Sequence, residues 1–133
     1  MLKNYIILII FILIVDYIWL SLQKPLYNIL VRSVQGTDLK MNLIGGILSY
    51  ICIIASLILF VIPLIKSNLN NNQTSNLFGS CLYYGGLLGL LMYGIFNATN
   101  LAIFTNYDPK IALMDTLWGA TLFTMSTFLF FNL

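Results

Sequence analysis

The chain of 133 residues contains no histidine and no glutamate, and its only acids are Asp16, Asp38, Asp108 and Asp115. The absence of histidine removes the commonest metal ligand and the side chain that shuttles protons near neutral pH. The cysteines, Cys52 and Cys81, stand in separate apolar stretches with no C-x-x-C spacing, and both read as small buried hydrophobes. No bound metal and no cofactor is therefore expected. Charge of either sign is scarce: 8% of residues carry it, against about a quarter in soluble domains. Lys3, Lys24, Arg32, Lys40, Lys66 and Lys110 are scattered, with no basic run, so nucleic acid is not an expected partner.

Apolar residues fill the space that charge leaves, at 60% of the chain with a mean hydropathy of +0.95. So short a chain has too much surface for its volume to hide that much apolar area from water. A disordered chain is excluded as well, because disorder needs low hydrophobicity and high charge. Four apolar stretches, 5–22, 42–65, 79–104 and 111–131, each approach the roughly 20 residues that cross a bilayer as a helix. Backbone groups in lipid must find partners within the segment, and the alternation of barrel strands is missing. The sequence predicts an all-α integral membrane bundle of four transmembrane helices in up-down order, one domain over 1–133, with the lipid bilayer as its surroundings.

The links have their own signals. Residues 23–41 hold Pro25 and Gly36, with Leu26, Tyr27, Leu30 and Val31 at the spacing of a short interfacial helix. Residues 66–76 are rich in Asn and Ser and read as a flexible exposed loop. Asp108-Pro109 breaks the third helix and opens the fourth. Lys24, Arg32, Lys40 and Lys110 outnumber Lys3 and Lys66 at the other end, which favours a cytoplasmic position for 23–41 and 105–110. The first stretch lacks a small-x-small cleavage pattern and holds Asp16 and Trp19, so it reads as a retained helix.

A carboxylate inside a membrane helix costs about 3 kcal/mol on insertion scales. Asp16 and Asp115 both sit inside apolar stretches, and both stand in D-x-x-W, with Trp19 and Trp118 on the same helix faces. Asn97, Thr99 and Asn100 of the third stretch and Tyr50 of the second lie at a similar depth. These eight residues form the candidate polar pocket. Its alternative is a set of buried polar groups that only fix helix register. Trp19 and Trp118 serve either as lids on the pocket or as interfacial anchors. Gly85-x-x-x-Gly89 lets two helix backbones approach, within one chain or across a homo-oligomer seam, with Gly45-Gly46 and Gly119-Ala120 as the facing surfaces.

Three motifs together resemble the bacterial membrane-protein family catalogued as domain of unknown function 2177. They are D-x-x-W-L (Asp16, Trp19, Leu20), G-x-x-x-G followed by Tyr93 and T-N-L-A (Thr99, Asn100, Leu101, Ala102), and D-x-x-W-G (Asp115, Trp118, Gly119). The resemblance spans nearly the whole chain and implies a small four-helix membrane protein without an established activity. The family's third-helix motif reads Y-D-x-T-N-L-A, and Phe96 and Asn97 stand here in place of Tyr and Asp. The function expected from the residues is transport or binding of a proton, a cation or a small ligand at the pocket. The alternative is a structural or accessory membrane subunit. A lipid-modifying enzyme is the least favoured, since no nucleophile motif accompanies the carboxylates.

Overall fold

The computed structural model describes residues 1–71 and 75–133. They form helices and, among the described residues, no strand: α1 (Leu2–Gln35), α2 (Leu43–Asn71), α3 (Leu77–Ile103) and α4 (Pro109–Phe131). The first three are long and apolar enough to cross a membrane. At 23 residues, α4 is about 34 Å long. It is the more polar helix because it is the most enclosed, packing along α3 and α1 and touching α2 at Leu57–Val61. Two of its hydroxyls turn inward and are satisfied locally: Thr124 donates to the Ala120 carbonyl and Thr127 to that of Phe123. The fold is an all-α bundle whose outer surface is apolar, with residues such as Ile14, Ile51, Phe60 and Ile95 more than half exposed.

The apolar core fills the end of the bundle away from the 104–108 loop. Leu8 and Ile12 of α1, Leu57, Ile62 and Ile65 of α2, and Leu122 and Phe123 of α4 are almost completely buried there. On α1 the buried positions Leu8, Ile12 and Asp16 recur every four residues, which is one helix face. Cys81 belongs to this core, whereas Cys52 is exposed on the outer surface, unlike the expectation for it.

Helix α1 differs most from the sequence expectation. It does not end near 22 and resume as a separate interfacial helix but runs unbroken through Pro25 to Gln35. Proline removes one intrahelical hydrogen bond, and tertiary contacts hold the remainder. Leu30 is buried, and Ser33 and Asn106 exchange side-chain to backbone hydrogen bonds. Gly36 ends α1 in the left-handed conformation (φ 77°), its N–H bonding the Arg32 carbonyl. Residues 36–42 then fold back along α1: the Leu39 N–H bonds the Asn28 side chain, and Arg32 pairs with Asp38 at 3.1 Å.

Helix α2 likewise continues beyond the expected span, to Asn71. Of the loop expected over 66–76, residues 72–74 lie outside the described residues, and Asn76 caps α3 by accepting the Phe78 N–H. Two π-helical segments, Leu57–Val61 in α2 and Cys81–Gly86 in α3, face each other. The first ends two residues before Pro63, which cannot donate to the turn before it.

Gly85 and Gly89 face α4 of the same chain. A Cβ on Gly89 would overlap the Gly119 carbonyl, and one on Gly85 would come within 2.9 Å of Thr127 Oγ1. Gly119 in turn lies flat against the Tyr93 ring. Gly45 and Gly46 are not facing surfaces: Gly46 has open space around it, and Gly45 meets only its own capping residue Asn42. Gly89→Ala is therefore expected to lower stability by about 1–3 kcal/mol, the usual cost of overpacking. Gly46→Ala should leave stability unchanged or raise it, because alanine is the better helix former. Thermal unfolding of both variants in detergent checks the contrast.

Candidate functional site

The polar residues of the spans assemble around the two carboxylates. Asp16, on α1, is 6% exposed. Its Oδ1 accepts from Trp118 Nε1 of α4 at 2.8 Å, and its Oδ2 accepts from the Tyr50 hydroxyl of α2 at 2.6 Å. Asp115, on α4, has a similar pair of partners from the other two helices. The Tyr27 hydroxyl of α1 donates to Oδ1 at 2.8 Å, and Asn97 Nδ2 of α3 donates to Oδ2 at 2.8 Å. Each carboxylate oxygen thus has one donor, every donor is neutral, and all four helices take part.

A second tier holds these donors. Asn97 is 2% exposed. Its amide also donates to the Tyr93 carbonyl, and its Oδ1 accepts from the Tyr107 hydroxyl at 3.0 Å. Tyr107 comes from the short loop between α3 and α4, and burial pushes its phenol up, while a hydrogen bond with Asn100 works the other way. Tyr107 therefore stays a neutral donor. Trp19 and Trp118 stack in parallel, with ring centroids 4.4 Å apart and 2° between planes. The Trp19 Nε1 is buried and closes no hydrogen bond. The Tyr93 ring lies within electrostatic reach of both Asp16 and Asp115.

Of the residues singled out in the sequence, Asp16, Trp19, Tyr50, Asn97, Asp115 and Trp118 come together here, and Asn100 joins through Tyr107. Thr99 does not join them. It is exposed on the outer face of α3, because two residues along a helix turn the side chain about 200° away from Asn97. Tyr27, Tyr93 and Tyr107 are the members that the sequence reading did not place in the pocket. Tyr27 had a usable signal: it stands eleven positions after Asp16, just over three full turns, hence on the same face of an unbroken helix.

In this arrangement all four carboxylate oxygens are filled by hydrogen bonds. Two surface hollows lie elsewhere, one beside Asn68 and Tyr83 and one beside Lys24 and Asp38. No group of three or more Cys, Asp, Glu or His side chains capable of holding a metal exists among the described residues. Chemically, the cluster can fix helix register, and it can accept positive charge.

Because Tyr50 and Trp118 serve the same carboxylate, Tyr50→Phe and Trp118→Phe are expected to be non-additive in stability, with a coupling of about 0.5–3 kcal/mol. Tyr50→Phe and Tyr27→Phe, which relieve different carboxylates, should add to within about 0.5 kcal/mol. Double-mutant cycles on unfolding in detergent measure both.

Neither a curated protein nor a solved structure matches this chain. A family model does match, over residues 1–131. With its apolar helices and lipid-facing surface, the chain is an integral, multi-pass membrane protein and belongs to the family described as Predicted membrane protein (DUF2177).

Proposed function

We propose that the Asp16–Asp115 cluster binds a proton or a small cation entering from the end that carries the 104–108 loop. One observation carries this reading: two carboxylates inside the bundle are held by neutral donors only. Among the described residues the one ion pair is Arg32–Asp38, so no lysine or arginine offsets either cluster acid. Buried charge is normally offset by a partner charge, a proton or a metal ion. Tyr107 and Asn97 connect the half-buried Asp115 to the loop by hydrogen bonds, which gives a short polar route from that end.

Among the described residues the far end offers no matching route. There Leu8, Leu57, Ile65, Leu122 and Phe123 close the centre of the bundle. A single copy therefore suits a one-sided binding site better than a through-channel. The second reading, a cluster that only locks four helices together in a structural or accessory subunit, is favoured by the fact that every carboxylate oxygen already has a donor.

Thermal unfolding in detergent, across pH and a panel of sodium, potassium, magnesium and calcium salts, separates the two. On the binding reading at least one cation, or added acid, stabilises the parent saturably, by about 2.7 kcal/mol at a hundredfold excess over Kd. Asp16→Asn or Asp115→Asn removes that gain. If nothing in the panel shifts the parent and both variants lose about 2 kcal/mol or more in every condition, the cluster is a packing element.

A further inference from the structure

We propose that the hollow between α1 and the returning 36–42 segment binds the zwitterionic headgroup of a phosphoethanolamine lipid. The hollow measures about 450 Å³ and is lined by Ser21, Lys24, Pro25, Asn28, Asp38 and Leu39.

Its position suits a membrane surface. Helix α1 has 34 residues and is about 51 Å long, whereas the hydrocarbon core is about 30 Å thick. The apolar run of α1 ends at Leu22, and Gln23 and Lys24 follow. Lys24 is thus the first cation beyond the hydrocarbon. Beside the hollow, Leu22, Leu26 and Ile29 form an exposed apolar stripe at helical spacing, suited to lie along acyl chains.

The polar lining carries both signs. Lys24 has no ion pair among the described residues. Asn28 uses its carbonyl oxygen on the Leu39 N–H, which leaves its amide NH₂ to donate. Both groups suit a phosphate diester. Asp38 supplies negative charge. Its pairing with Arg32 is solvent-exposed at 65% on both sides, and such surface pairs are weak. The Ser21 carbonyl receives no hydrogen bond from four residues on, because Pro25 has no N–H. A primary ammonium can donate to both of these acceptors, and a quaternary one cannot. Pro25 and Leu39 form the apolar walls. Phosphate alone would meet Asp38 unfavourably, which is the reason for choosing the zwitterion.

Binding of short-chain phosphatidylethanolamine, phosphatidylcholine and phosphatidylglycerol, and of inorganic phosphate, to the full-length protein in detergent tests the proposal. Thermal shift and native mass spectrometry are the readouts. Phosphatidylethanolamine should bind most tightly, and Lys24→Gln and Asp38→Asn should each weaken it roughly tenfold or more. Lys66→Gln, remote in sequence and at the opposite end of the bundle, should leave it unchanged. Equal affinity for all three lipids, a shift by inorganic phosphate alone, or phosphatidylethanolamine binding that survives both Lys24→Gln and Asp38→Asn would each overturn it.

Discussion

In a bilayer, helices gain little by hiding apolar faces from one another, because lipid tails are as apolar as leucine. Directional contacts and close packing must therefore decide how four helices sit together. Asp16 draws α2 and α4 onto α1 through Tyr50 and Trp118, and Asp115 draws α1 and α3 onto α4 through Tyr27 and Asn97. The glycine seam does the complementary work at short range, letting α3 lie against α4 where Gly89 meets the Gly119 backbone. The remaining features depend on these two devices. The Trp19–Trp118 stack follows from α1 and α4 being held in register. The full length of α1 matters because Tyr27, beyond the expected end of the first span, is one of the four donors.

Electrostatics gives the same cluster its second character. A neutral donor shares a carboxylate's charge but does not cancel it. Asn97 is instructive here, because it meets Asp115 with an amide and not with a second acid. An amide at 97 donates to Asp115 Oδ2, whereas a carboxylate there would need a shared proton or cation to lie so near another. The neutral character of every donor to Asp16 and Asp115 is the basis for the proposed proton or cation.

Much of the fold was legible because each span is a long apolar run, and the intramembrane acids stood out against that background. Asp16, Asp115, Asn97, Tyr50 and Trp118 were visible as polar groups at one depth. What the sequence concealed has physical causes. Pro25 with the polar residues around it looked like a break, but a helix tolerates one lost hydrogen bond when both flanks are anchored. That misreading hid Tyr27. Tyr107 lies in a loop whose path only tertiary structure fixes, and its bond to Asn97 has no local signature. Thr99 was included on proximity in sequence, where the 100° step per residue already turns it away from Asn97. Gly45-Gly46 resembled a packing surface, yet small residues permit close approach without demanding it.

The most direct test of the central claim is isotope-edited infrared spectroscopy of the chain carrying ¹³C-carboxyl aspartate. Four aspartates and no glutamate make the side-chain carboxyl region simple to assign, using Asp16→Asn and Asp115→Asn. The account predicts that the bands lost in these two variants are the ones that change on proton or cation uptake by the parent. Bands of Asp16 and Asp115 that stay fixed across the same pH and cation series would contradict it.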